Sequence, residues 1–362
     1  MLQSRRKFCQ QMLAIGATLS ASTLMTGCFY SGSKVFANAF TLPSGEHYVG
    51  WFNGTGQLLG KVRVPQRAHD LKFISGKHVL LAFARRPGNY FYVIDINLEK
   101  VIQSVKTADG QHLYGHGAIS RDGNWLYTTE NRFAGSLEPK EGVISVRNTR
   151  NWSVEATYLS GGVGPHQLLS LSDPNLLVIA NGGIHTHPSL PRTKLNTETM
   201  KPNISYLDVN KGTINDSVTP PHHQLSMRHL CVDQRDNVYI GCQFQGPEYQ
   251  INPLIFKHYI KGSLQPFYAE NSSWSEFAQY TASLAISDDN KMLAVTSPKG
   301  GIVSYWDTNS LKLIETLKLK DCAAIAPSGN EFIVSTGRGE IAIKNNAMVR
   351  NSEIKWDNHM AV

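Results

Sequence analysis

Charge is scarce in this 362-residue chain: Asp, Glu, Lys and Arg make up 17% of it, and no long run of one sign occurs. Three of the seven net positive charges belong to Arg5, Arg6 and Lys7. What remains is too thin and scattered to suggest nucleic acid as a partner. No Cys-x-x-Cys-His is present, which excludes covalent c-type haem. GxSxG, HExxH, a Walker loop and a GxGxxG between strand and helix are all missing, so the commonest hydrolase, metalloprotease and nucleotide-binding signatures give no lead. What the chain does have is 30 glycines and 16 prolines scattered between short apolar runs, the look of an all-β protein.

The first residues stand apart from any fold. Ser4-Arg5-Arg6-Lys7-Phe8, followed by a weakly apolar stretch from Met12 to Met25, resembles a twin-arginine export signal, although Cys9 stands where that pattern prefers Leu. Gly16, Thr18 and Ser20 dilute the stretch, which falls short of the roughly 20 apolar residues that cross a bilayer. Leu24-Met25-Thr26-Gly27-Cys28 resembles a lipobox, with Cys28 as the acylated first residue of the mature protein. Residues 1–27 are expected to be removed and 28–34 to act as a linker. The protein is then expected in the periplasm, with Phe29 favouring a lipid anchor in the inner leaflet of the outer membrane. Of the cysteines further on, Cys231 and Cys242 could bridge neighbouring strands, leaving Cys322 odd.

One short pattern recurs through the rest of the chain. A small or special residue and an apolar strand begin at Ala68-His69, Gly115-His116, Pro165-His166, Arg228-His229, Ala282-Ser283, Asp321-Cys322 and Asn358-His359. Successive copies lie 37 to 63 residues apart, room for four short antiparallel strands each. The spacing predicts a single seven-bladed β-propeller, WD40/YVTN-like, over 35–362. The last copy has no chain left to complete a blade, whereas three strands precede the first. Pairing the terminal strands would close the ring and remove an open sheet edge.

In a propeller the first strand of each blade lies against the central channel. His69, His116, His166, His229 and His359 are therefore expected around one mouth, with Ser283 and Cys322 at the other two positions. A single histidine there commonly has a structural job, but five converging imidazoles repel when protonated and waste polar groups when dry. They and Cys322 are the candidate metal ligands. Loops of the same face, with Arg228 beside the ring, are expected to bring Arg85, Arg86, Glu130, Arg132, His185, His187, Arg192, Lys299 and Arg338 to a cationic funnel suited to an anionic ligand. The loop from Gly182 to Asn203 is long enough to act as a lid.

Several longer segments are similar to the DUF1513 family of exported bacterial propellers: Ala84-Arg85-Arg86-Pro87-Gly88, Gly164-Pro165-His166, the run from Asn181 to Pro188, Leu225-Ser226-Met227-Arg228-His229-Leu230, Gln243-Phe244-Gln245-Gly246, Ser297-Pro298-Lys299-Gly300-Gly301 and Trp356-Asp357-Asn358-His359. The similarity runs from about Val35 to the end, with Ala282-Ser283 departing where the family more usually has glycine. The resemblance implies association with imelysin-like or di-haem peroxidase-like proteins, and so raises iron above copper or zinc. The expected function is capture of a metal or an anionic metal complex in iron handling. The alternatives are a propeller lactonase using Glu130, His166 and Arg85, and a non-catalytic scaffold.

Overall fold

The computed structural model describes residues 34–133, 141–190, 193–343 and 346–362. The twin-arginine, lipobox and linker expectations, with Arg5, Arg6 and Cys28, lie outside the described residues, as does Arg192. The residues from Phe36 to Val362 form one compact unit, built from seven four-stranded antiparallel sheets.

The blades follow the repeat. Blade 1 spans 68–106, blade 2 spans 111–159, blade 3 spans 165–218, blade 4 spans 225–266, blade 5 spans 283–318 and blade 6 spans 322–350. Blade 7 joins the C-terminal strand Lys355–Ala361 to Val35–Thr41, His47–Asn53 and Leu58–Val64. The closure pairs Ala37 with Ala361 and Phe40 with Trp356, so neither terminal edge is left open. The innermost strands begin at Ala68, Gln111, Pro165, Leu225, Ser283, Cys322 and Lys355, and each packs on the next around a closed ring.

Apolar residues at alternate or continuous strand positions bury the faces between blades. Leu81, Phe83, Phe91 and Trp152 fill the seam of blades 1 and 2, and Phe36, Phe52, Ile333 and Trp356 that of blades 6 and 7. The largest core wraps blades 3 to 5, where Trp306 stacks on Trp274 of the short helix Asn271–Ser275. Polar ties cross the seams close to the channel. Thr129 Oγ1 reaches the carbonyls of His116 and His166, Gln167 exchanges hydrogen bonds with the backbone of Leu230, and Asn38 Nδ2 donates to Ser335.

Cys231 and Cys242 are both free. The strand register sets Cys231 opposite Tyr239 and Cys242 opposite Met227, so the two do not face each other and no bridge joins them.

Candidate metal centre

The innermost strands do not run regularly past the channel. In five blades the pairing slips at the histidine: between Ala68 and Leu71, between Leu113 and Gly117, between Pro165 and Gln167, between Met227 and His229, and opposite Asn38 to Phe40 in the closing strand. An extra residue at such a bulge re-aims the side chain beside it. The innermost strand of blade 5, which carries Ser283, pairs without a slip. Gly115 makes the closest of these turns possible. Its φ is +98°, and a Cβ there would lie 2.9 Å from Cδ2 of His69.

The result is one compact cluster. Ring centroids lie 5.0 Å apart for His69 and His116, 4.8 Å for His116 and His166, 4.7 Å for His166 and His229, 5.0 Å for His229 and His359, and 4.6 Å for His359 and His69. Two sets of three offer ligand atoms all within 4.8 Å of one another: His69 with His116 and His359, and His116 with His166 and His229. His116 belongs to both. The ring was expected at a solvated mouth, but it is buried: His116 is 0% exposed and the other four 7% or less. It separates two cavities of the channel. His69, His166 and His229 line the upper one, and His359 lines the lower.

Two carboxylates missed by the sequence reading stand behind the ring. Asp357 Oδ1 lies 3.3 Å from Nδ1 of His69 and Asp70 Oδ2 lies 3.4 Å from Nδ1 of His116. Asp357 is also bound by Arg67, and Asp70 by Lys72 Nζ at 3.0 Å. Burial alone would raise both carboxyl pKa values. For Asp70, Lys72 and His116 outweigh it, and for Asp357, His69, Arg67 and Arg85 do, so both stay well below the usual carboxylate range. Burial pushes the imidazoles the other way: His116 falls to about 4, and His166, His229 and His359 lie well below their ordinary value. Neutral rings with free lone pairs result. Nε2 of His116, Nδ1 of His166, Nδ1 of His229 and Nε2 of His359 are buried with no hydrogen-bond partner among the described residues. Leaving a buried polar group unpaired costs about 1–3 kcal/mol, so this convergence is expensive unless something binds it.

The upper cavity has a volume of about 310 Å³ and is lined by Arg85, Arg86, Arg228 and Lys299, as expected, and by Lys194, which sequence reasoning did not single out. Tyr114, Gln243, Phe244, Gln245, Gln279, Tyr280 and Asn358 complete the wall with the three histidines. Arg86 stacks on Tyr114 at 5.6 Å and Lys299 on Tyr280 at 5.1 Å. Two of these polar wall residues were reachable from the sequence, because Tyr280 and Asn358 adjoin repeat copies.

Other expected residues go elsewhere. Glu130 is 0% exposed between blades, ion-paired to Arg147 at 3.2 Å and accepting from Thr128 at 2.7 Å. Arg147 in turn lies over Phe91 in the apolar seam, so the acid-base set of Glu130, His166 and Arg85 is not assembled. Cys322 turns into an apolar cluster with Ile325 and Val334, its thiol donates to the Ile302 carbonyl at 2.9 Å, and burial pushes its pKa up to about 12. It is no ring ligand. Arg132 and Arg338 are exposed and outside the upper cavity. His187 packs on Phe133 and lines a separate small cleft. His185 is half-buried, its backbone tied to Asn196, and it too stands outside the cavity wall. The loop expected as a lid is pinned to blade 2 by Thr186, 3.2 Å from the Tyr114 hydroxyl, and among its described residues Lys194 alone lines the funnel.

A family model described as "Protein of unknown function (DUF1513)" matches residues 62–362. Comparison with curated proteins finds no match. Among solved structures, hydrazine synthase of Kuenenia stuttgartiensis is similar with a TM-score of 0.63 and 14% identity, over 86% of this chain and 95% of that one. At that identity the likeness shows the fold alone.

Proposed function

The chain belongs to the DUF1513 family, whose description assigns no activity, and from its own side chains we propose that it is a metal-binding propeller, with the ion held by the histidine ring. The observation that carries this reading is the pair of overlapping three-histidine sets, each with its ligand atoms within 4.8 Å of one another, in which four buried ring nitrogens have no hydrogen-bond partner among the described residues. Neutral imidazole suits iron, copper and zinc. Asp357 and Asp70 stand behind His69 and His116 as carboxylates do behind metal-bound histidines, fixing ring orientation and raising ligand basicity. Iron is the first choice, on the family resemblance, and so is a role in iron handling beside an imelysin-like or di-haem peroxidase-like partner. The resemblance of the first 28 residues to an export signal and lipobox supports a periplasmic, lipid-anchored protein.

The test is metal content. The purified chain is stripped with chelator, offered ferrous iron, copper or zinc at neutral pH, desalted and analysed by mass spectrometry. Stoichiometric uptake is expected for the wild type, and its loss for His166→Ala with His229→Ala. His222→Ala with His223→Ala, a stacked pair outside the ring, should keep full uptake. A wild type that takes up none of the three metals, or a ring variant that keeps its full content, makes the ring structural and the propeller a scaffold.

A further inference from the structure

Above the ring the upper cavity gathers five cationic side chains, Arg85, Arg86, Lys194, Arg228 and Lys299, and its wall contains no Asp or Glu. Among the described residues none of the five has a carboxylate within ion-pair distance. The nearest acid to act on Arg85 is Asp357, already engaged by Arg67 and His69. Like charges converging in a concave, partly dry site repel, and each loses hydration. Arg228 shows the cost directly: its buried Nε has no hydrogen-bond partner among the described residues. Burial, then Lys299, Arg228 and Arg86, lower the pKa of Lys194. Among the described residues nothing beyond the shared Asp357 offsets this cluster, yet the fold holds it together. Stacking on Tyr114 and Tyr280 fixes Arg86 and Lys299, and the bulge that aims His229 at the ring carries Arg228 beside it.

We infer that this cavity is a binding site for a small polyanion bearing carboxylate or phosphate oxygens, seated directly on the upper face of the ring. The cavity, about 310 Å³, is at the lower end of small-molecule pockets. Guanidinium forks from Arg86 and Arg228 match two oxygens of one carboxylate or phosphate, and the lysines supply point charges for the others. The inference deepens the proposed function, resting on it only in making the ring face the floor of the site. An anion there would also offer oxygens to an ion on His69, His166 or His229. It has two sources: a free anion, or one arriving as the chelate of a metal.

Titration calorimetry on the metal-free chain tests this with citrate, inorganic phosphate and acetate. Citrate is expected to bind one to one, at least about tenfold more tightly than acetate, and to weaken as salt rises. Arg86→Gln with Arg228→Gln should weaken citrate by about tenfold or more. Lys194→Gln with Lys299→Gln, both nearer the rim, should weaken it by a smaller factor and decides the matter if the arginine variant does not fold. His166→Ala with His229→Ala should leave metal-free citrate binding within about threefold. Ferric citrate that binds more tightly than citrate to the wild type, but not to that ring variant, identifies the chelate as the source. Equal binding identifies the free anion. Citrate and phosphate binding no better than acetate, or a citrate affinity unmoved in both cation variants, overturns the inference. Metal uptake without a citrate isotherm defeats this inference alone, and a citrate isotherm without metal uptake defeats only the ring reading.

Discussion

His116 differs from the other four ring histidines. It is shared by both three-histidine sets, wholly buried, and backed by Asp70. Its charge state therefore governs the cluster. An imidazole with a depressed folded pKa takes up its proton more readily in the unfolded chain. The ring's contribution to stability is thus complete above the unfolded value of about 6.5. It is lost as pH falls from there toward the folded pKa, about 4 for His116. Thermal melts of the metal-free chain should be flat between pH 7 and 8 and should drop steadily from about pH 6.5 to 4. A His116→Gln variant should show a shallower drop, and an identical pH profile would remove His116 from the cause. The histidines were legible as a set because each opens a repeat copy. Asp70 and Asp357 were not. Each lies one or two residues from a ring histidine of its own strand but backs a histidine of another blade, a pairing that only the closed ring brings about.

At the scale of strands, the repeat spacing carried the blade count because every innermost strand contains one copy of the signal, at its start in blades 1, 3, 5 and 6 and a few residues further in for Gly115-His116, Arg228-His229 and Asn358-His359. The bulges left no comparable trace. A slip of one residue decides which side chain faces the channel, and only Gly115, forced to a positive φ against His69, marks one in the sequence. That is why Cys322 looked equivalent to the histidines and is not. Its strand also slips, between Cys322 and Ile325, but turns the thiol into the seam with blade 5. Glu130 failed for a related reason. It was placed on a loop, yet it pairs within the sheet with Val143, where its side chain meets Arg147 rather than the funnel. The closing strand gives a direct test of strand-level reading. Removing residues 356–362 deletes Trp356 from the blade 6 and 7 core, takes Asp357 from His69 and Arg67, and bares the edge of Val35–Thr41. Loss of a buried Trp alone costs about 3–5 kcal/mol, so the truncated chain should melt well below the full one in a single transition. An unchanged midpoint would mean that the ring does not depend on its closure.

For the molecule as a whole, the proposed twin-arginine export rests on Arg5 and Arg6, which lie outside the described residues. Arg5→Lys with Arg6→Lys keeps the charge of the leader but not its guanidinium geometry, and fractionated cells should then retain the protein in the cytoplasm. Normal arrival in the periplasm would exclude the twin-arginine route. Once folded, the propeller places its histidine septum between two compartments of unlike character. Above it the wall carries guanidinium, ammonium, amide and phenol groups. Below it the wall is mixed, Phe73, Ile119, Leu169, Leu284 and Ile325 standing beside Asp70, Lys72, Gln167, Ser170 and Ser283. The two faces of the septum are thereby unlike in charge: the upper one is cationic throughout and favours an anion, whereas the lower one sets a carboxylate and an ammonium beside His359.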